Sequence, residues 1–326
     1  MTALRLILVA TGILLVSTAA RAVELPGPLV ETAWLAEHRD EVFILDVRAD
    51  TKSFTQRPRY VKNKKTGKRQ LVALGGHVPG ARLLDFKEAR TTRVIDGRKI
   101  EKLVPPKERF EQVMRKTGLD ADDSVVIVTK GLGSGDMTMA ARMYWQLKYF
   151  GHDRVAVLNG GLAQWLTEER DYSTRVAKAD RGDWRARGER RELLATSEDV
   201  AEAVESGSAQ LIDNRPISLY LGTWKKDYVA AKGHIPGAKS FPNELMTDVH
   251  APSKYLATEE LRHLARELDV EDDRPAITYC NSGHLAAGGW FILSEVLGNE
   301  NVKLYDGSMH QWTMENRPVV RFERQH

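Results

Sequence analysis

Gly76-His77-Val78-Pro79-Gly80-Ala81 returns later in the chain as Gly233-His234-Ile235-Pro236-Gly237-Ala238. Working outward from this element, three further pairs occur in the same order. Phe43-Ile44-Leu45-Asp46-Val47-Arg48 returns as Gln210-Leu211-Ile212-Asp213-Asn214-Arg215. The apolar run Val125 to Val128, after Asp122-Asp123, returns as Ala276 to Tyr279 after Asp272-Asp273. Asn159-Gly160-Gly161-Leu162-Ala163-Gln164-Trp165 returns as Asp306-Gly307-Ser308-Met309-His310-Gln311-Trp312. Matched pairs in one order at a long period mark an internal duplication.

Within each half, short apolar strands alternate with amphipathic helices. Strands that are apolar on both faces suit a mainly parallel sheet covered by helices, so the fold class is α/β, with two similar domains. In the second half the strands fall at Leu211–Ile212, Ala276–Tyr279 and Val302–Tyr305. Thr258 to Leu268 has helical spacing, with Leu261, Leu264 and Leu268 on one side and Glu259-Glu260 near its start. The predicted boundaries are a leader over 1–22, a first domain over 28–168, a charged connection over 169–192 and a second domain over 193–321.

With 326 residues, 42% hydrophobic and 29% charged, the chain can bury a substantial core, and its length suits about two domains. A formal charge of +3 does not suggest non-specific nucleic-acid binding. The first residues carry Arg5, an apolar stretch from Leu6 to Val16, and Ala20-Arg21-Ala22. This is the pattern of a secretory signal peptide cleaved after Ala22, predicting a periplasmic or secreted protein. The apolar stretch is short for a span of roughly 20 residues, and no later run reaches that length. Cleavage would remove Arg5 and Arg21 and no acid, leaving the mature chain close to neutral.

Cys280 is the sole cysteine, so no internal disulfide can form. A lone thiol in an oxidising compartment is a liability unless it is buried or used chemically. Cys280 follows a predicted buried strand and precedes Asn281-Ser282-Gly283-His284-Leu285-Ala286, where Ala286 to Leu297 reads as a helix. Ligands of open parallel sheets sit outside the carboxyl ends of the strands, where this loop would lie. Inward-pointing loop amides and the helix start favour negative charge there. The thiolate is the nucleophile, and such a field would favour it and an anionic persulfide formed on it. Gly283 permits a tight turn; His284 either adds positive charge or faces solvent. The Gly288-Gly289 pair costs helix propensity but allows close packing against the sheet. Phosphatases share the strand–cysteine–loop–helix plan, but they need an arginine six residues after the cysteine, where this chain has Ala286.

From about Leu29 to Trp312 the chain resembles the rhodanese family, specifically the exported tandem-domain sulfurtransferases related to thiosulfate and 3-mercaptopyruvate sulfurtransferases. The Asp-x-Arg, Gly-His-(Val/Ile)-Pro-Gly-Ala and Asp-Gly-Ser elements carry the resemblance. It implies two similar domains, a catalytic cysteine at Cys280, and a cradle formed by Asn281, Ser282, Gly283, His284 and Leu285. The implied reaction moves sulfur from a small anionic donor through a Cys280 persulfide to a thiol or cyanide acceptor, with neither metal nor organic cofactor. The first domain, with about Thr129 in the cysteine's place, is implied to be non-catalytic.

This chain departs from the family's pattern around the substrate. Asn281 and Ser282 are neutral where thiosulfate-preferring relatives are positive, and Ser282 matches the serine of mercaptopyruvate-preferring relatives. Both groups carry an arginine in an Arg-(Phe/Tyr)-x-Gly element, but here the sequence is Leu219-Tyr220-Leu221-Gly222. The arginine before Gly-His-Ile-Pro is also absent from Ala230-Ala231-Lys232, leaving Lys225, Lys226 or Lys232 as substitute point charges. Asp213, Arg215 and His234 recur as Asp46, Arg48 and His77 in the half without a cysteine, which favours a structural role. His77 is also a candidate to reach the domain interface near Ser282. Finally, Arg57, Arg59, Lys62, Lys64, Lys65, Lys68 and Arg69 fall in a stretch, 57–70, that holds no acid and is absent from the second half. It reads as a solvated loop or a docking surface for an acidic protein partner, the latter suiting a binding module without turnover.

Overall fold

A computed structural model describes residues 23–323 except Thr66, Lys68 and Ala179. The leader expected over 1–22 lies outside the described residues. Among those described, no helix is long and apolar enough to cross a membrane.

The first half contains β1 (Leu29–Val30), α1 (Thr32–His38), β2 (Phe43–Arg48), β3 (Arg59–Lys62), β4 (Arg69–Ala73), β5 (Arg82–Asp85), β6 (Thr91–Ile95) and β7 (Arg98–Leu103). It continues with α2 (Lys107–Thr117), β8 (Val125–Val128), α3 (Ser134–Tyr149), β9 (Val155–Leu158) and α4 (Gly161–Thr167). The second half holds β10 (Leu194–Ala195), α5 (Ser197–Ser206), β11 (Gln210–Asp213), α6 (Ile217–Tyr220), β12 (Lys239–Ser240), α7 (Thr258–Glu267) and β13 (Ala276–Tyr279). It ends with α8 (His284–Trp290), β14 (Val302–Tyr305) and α9 (Ser308–Met314).

Two five-stranded sheets result, ordered β1-β9-β8-β2-β5 and β10-β14-β13-β11-β12. Every pairing within them is parallel. All four residues of β8, and likewise of β13, are buried, as central parallel strands covered on both faces must be. The expected α/β architecture of two parallel-sheet domains is therefore what the chain forms. The first half adds two antiparallel hairpins, β3-β4 and β6-β7, that the second lacks. The basic stretch expected as a solvated loop is thus mostly the β3-β4 hairpin. Tyr60 anchors it by donating to Leu166 O at 3.2 Å, and the Arg69 guanidinium lies 4.2 Å from the Tyr60 ring centre.

The halves meet through α3 and α8, the helices that follow the central strands. A Cβ on Gly288 would come within 2.4 Å of Thr138 Cγ2 on α3, and one on Gly289 within 2.3 Å of the Asn214 side chain. The glycine pair therefore serves close approach both to the other half, at Thr138, and to the end of β11, at Asn214. Beyond Trp290 the helix widens into a π-helical turn, Phe291–Val296, where a continuous α-helix to Leu297 was expected. Phe291 packs on Tyr144 at 5.0 Å between ring centres and on Tyr255 at 5.5 Å, and one apolar core runs through the contact. Residues 169–192 are laid against the first half: Trp184 is buried beside Phe110, and Arg187 N donates to Phe150 O.

Candidate active site

Cys280 is the first residue beyond β13, at the carboxyl end of the central strand, and is 2% exposed. Its Sγ accepts the Ser282 N–H at 3.4 Å. Gly283 has φ of +73°, and a Cβ there would fall 2.3 Å from Asp306 Oδ1 and 2.7 Å from Arg142 Nη1, so only glycine fits. The loop is organised from below by Ser308, whose Oγ accepts from Cys280 N at 3.0 Å and Gly283 N at 3.1 Å while donating to Tyr305 O at 2.8 Å. Two loop amides are thus spent on Ser308; the Ser282 amide is the one that meets the sulfur. Met309 N and His310 N donate to the Cys280 and Asn281 carbonyls and complete the frame. Asn281 and Ser282 are buried, and Leu285 is half-buried against the apolar core.

The first half closes the loop from the other side. Arg142 on α3 is fully buried, pairs with Asp306 at 2.7 Å and donates to Gly283 O at 3.2 Å. Asp306 Oδ2 also accepts Val104 N, just past β7, at 2.6 Å. His284 turns into this contact, with Nε2 3.2 Å from Gly135 O and its ring 4.9 Å from Phe86. Burial, then the Arg90 and Arg142 charges, push its pKa down to about 3. His284 is half-buried at this contact, and the expectation that it adds positive charge is corrected, since it is neutral at neutral pH.

Cations do gather here, from residues that sequence reasoning passed over. The Lys102 ammonium lies 3.6 Å from the Tyr228 ring centre, and the Tyr228 hydroxyl faces the Ser282 side chain. The Arg90 guanidinium lies 4.1 Å from the Phe86 ring centre. Burial and then Arg142 lower the Arg90 pKa, while burial and then Arg90 lower that of Lys102; the Cys280 charge acts on Lys102 in the opposite direction. Arg142 carried a usable signal as a lone charge inside the apolar stretch Met139-Ala140-Ala141-Arg142-Met143. Arg90 and Lys102 carried none, because their neighbourhood is set by contacts distant in sequence.

Other residues singled out from the sequence lie elsewhere. Arg215 forks onto Asp213, with Nη2 2.5 Å from Oδ2, and donates to Gly233 O at 2.8 Å. Arg48 repeats this on Asp46, with Nη2 2.5 Å from Oδ2 and 3.2 Å from Gly76 O. These buried forks tie a strand end to the following loop in each half. His234 stacks on Tyr220 at 3.8 Å, as His77 does on Phe54 at 3.7 Å. His77 does not reach Ser282: its ring nitrogens meet the Val78 and Arg175 carbonyls of its own half, at 2.9 and 3.2 Å. Lys232 is exposed and nothing ties it to the cysteine loop, whereas Lys225 Nζ donates to Val229 O at 2.6 Å.

Duplicated parallel-sheet domains, with a single cysteine framed at the central strand of one of them, define a tandem-domain protein of the rhodanese type. The chain belongs to the rhodanese family: the Rhodanese-like domain matches residues 31–168 and again 196–315. Sulfur carrier protein TtuD of Thermus thermophilus is 30% identical over 298 residues, covering 88% of this chain and 94% of that protein. The 3-mercaptopyruvate sulfurtransferase of Escherichia coli K12 is 30% identical over 280 residues, covering 86% and 92%. The crystal structure of SseA from Escherichia coli, titled a 3-mercaptopyruvate sulfotransferase, superposes with a TM-score of 0.68 at 26% identity over 86% of this chain and 98% of that one.

Proposed function

We propose that this protein is a sulfurtransferase that carries sulfane sulfur as a persulfide on Cys280. The observation that carries the reading is the Cys280 sulfur at the end of β13, with the Ser282 N–H 3.4 Å away and Lys102 close enough to feel its charge. Relatives named as a sulfur carrier protein and as a 3-mercaptopyruvate sulfurtransferase support it. In the first step the Cys280 thiolate attacks the outer sulfur of an anionic donor. A new S–S bond forms, and the donor's bond to that sulfur breaks with its electron pair leaving on the desulfurated anion: sulfite from thiosulfate, or the enolate of pyruvate, which takes a proton from water, from 3-mercaptopyruvate. In the second step a thiol or cyanide attacks the terminal sulfur and returns the thiolate, giving ping-pong kinetics. Cysteine sulfur alone carries the group, so no metal or organic cofactor enters the scheme. The test is intact mass after incubation with thiosulfate or 3-mercaptopyruvate: the wild type gains one sulfur, about 32 Da, and Cys280→Ser gains none and transfers nothing. Failure of every sulfane donor to modify Cys280 would overturn the assignment.

A second reading, a module that docks an acidic protein partner without turnover, is favoured by the β3-β4 hairpin. Arg57, Arg59, Lys62, Lys64 and Lys65 are exposed on it. Retention of full donor turnover, with no partner lost, after neutralising Lys62, Lys64 and Lys65 would dismiss it. Cleavage after Ala22 and export belong to the same proposal, and N-terminal sequencing of the native protein tests them.

A further inference from the structure

The second half lacks the arginines that the family's pattern places around the donor, and the exposed Lys232 does not replace them. Of the cations that the Cys280 charge reaches, Arg215 of the second half is already forked onto Asp213, whereas Lys102 comes from the first half, with Arg90 and Lys226 beside it. The strand β7 bearing Lys102 is docked firmly: Arg98 Nε donates to Met314 O at 2.9 Å, and Val104 N donates to Asp306 at 2.6 Å. Lys102 itself has φ of +66°, which an L side chain adopts only under constraint. Its ammonium on the Tyr228 ring stands one residue from Ser282, and the Tyr228 ring meets His310 edge-on at 5.2 Å. Arg90 covers Phe86, which in turn meets His284.

Unmet hydrogen-bonding capacity accompanies these charges. Arg90 Nε, and Nε and Nη2 of the fully buried Arg142, have no partner. Buried guanidinium N–H groups without acceptors are costly, and an anion with several oxygens is what would satisfy them. Arg142 is answered by Asp306, but Arg90 and Lys102 act on each other as like charges, which an anion between them would relieve.

We propose that Arg90 and Lys102 complete the donor site from the first half, holding the anionic head of the sulfur donor, a sulfonate or carboxylate, over Cys280. This rests on the sulfurtransferase reading and adds the groups that read the donor's charge. The site is then built across the seam, which gives the catalytically silent half a role in recognition. Arg142, held by Asp306 and Gly283, positions the loop beneath.

Because Cys280 is the only thiol, alkylation reads this site alone. Rates of carboxymethylation by anionic iodoacetate and of carbamidomethylation by neutral iodoacetamide are compared in wild type, Lys102→Met and Arg90→Met, alongside KM for thiosulfate and 3-mercaptopyruvate. The iodoacetate-to-iodoacetamide rate ratio is expected to fall about tenfold in each variant, with a matching rise in KM for the preferred donor. Lys102→Arg retains the wild-type ratio, which separates lost charge from lost folding. The donor whose KM responds more identifies the head group as sulfonate or carboxylate. Unchanged ratios and unchanged KM overturn the proposal while leaving persulfide formation intact. A collapsed ratio in a protein that no donor persulfurates keeps the anion site and sinks the sulfurtransferase reading instead. A Cys280 that neither reagent modifies overturns the proposal.

Discussion

The loop after β13 and its counterpart after β8 share one backbone plan and differ in what they leave chemically available. In both, the helix after the neighbouring strand, α9 or α4, donates two amides back to the loop. Met309 N and His310 N reach the Cys280 and Asn281 carbonyls, as Leu162 N and Ala163 N reach those of Thr129 and Lys130. Gly161, with φ of +58°, stands where Ser308 stands with φ of +50°. Glycine takes that conformation freely, whereas a serine there is strained by about 1 kcal/mol or more. The half with the cysteine holds the strained residue, and its hydroxyl accepts from two amides of the cysteine loop. In the other half Gly131 carries φ of +70°, and a Cβ there would fall 2.1 Å from Gly160 O, so no side chain fits at that position. Duplication supplied the frame twice; in one copy a serine in a glycine's place holds the amides of the cysteine loop.

The halves also clamp each other reciprocally. Asp306 Oδ2 accepts the backbone N–H of Val104, and Asn159 Oδ1 accepts that of Tyr255 at 2.9 Å. The clamp beside the cysteine is ionic, since Arg142 answers Asp306; at the other, Asn159 donates to Glu31 at 2.8 Å. This asymmetry predicts the largest effect. Arg142→Met leaves the buried Asp306 carboxylate uncompensated and is expected to cost about 3–5 kcal/mol, read from urea midpoints. Asn159→Ala, where the bridging side chain is uncharged and Glu31 keeps its pairing with Lys254 at 2.7 Å, is expected to cost about 1–3 kcal/mol. Equal losses at the two positions would show that the halves are not distinguished in this way.

Ser308 sharpens the comparison at a smaller scale. Ser308→Ala keeps the left-handed backbone and strands the Cys280 and Gly283 amides, for an expected loss of about 2 kcal/mol. Ser308→Gly strands the same amides but removes the strain, so it should be the more stable of the two by about 1 kcal/mol. Both should slow persulfide formation, measured by stopped-flow mixing with donor. Faster transfer in either variant would dismiss the hydroxyl as the organiser of the loop.

Much of this was legible in the sequence, because duplication exposes itself locally: the Gly-His-x-Pro-Gly-Ala elements, the apolar strands and the strand–cysteine–loop order need no long-range information. The position of Cys280 and the class of fold followed from these. What was not legible lies between distant segments. Arg142 meets Asp306, Lys102 meets Tyr228, and Gly288 meets Thr138, each across the seam. The substrate arginines were sought in the second half because the repeat drew attention there, while Lys102, whose ammonium the Cys280 charge reaches, comes from the first. The β3-β4 hairpin was hidden because Arg59 to Lys62 and Arg69 to Ala73 lack a continuous apolar face to announce strands.

The smallest predicted effect concerns two histidines, the buried His152 of the first half and the half-buried His284 of the second. Burial holds His152 down to about 4, and burial with the Arg90 and Arg142 charges holds His284 down to about 3. An unfolded histidine titrates near 6.5, so above that pH both states are neutral and the full stability is present. As pH falls through 6.5 the unfolded chain binds protons that the folded rings refuse, and stability declines until the folded rings titrate. By pH 5 each ring accounts for a loss of up to about 2 kcal/mol. His284→Gln removes one of the two, so its loss between pH 7 and pH 5 should be smaller than wild type by that amount, with His152 still contributing in both proteins. Identical losses would mean that His284 is already hydrated in the folded state, in which case the Arg90 and Arg142 charges do not converge on the cysteine loop as tightly as the geometry has them.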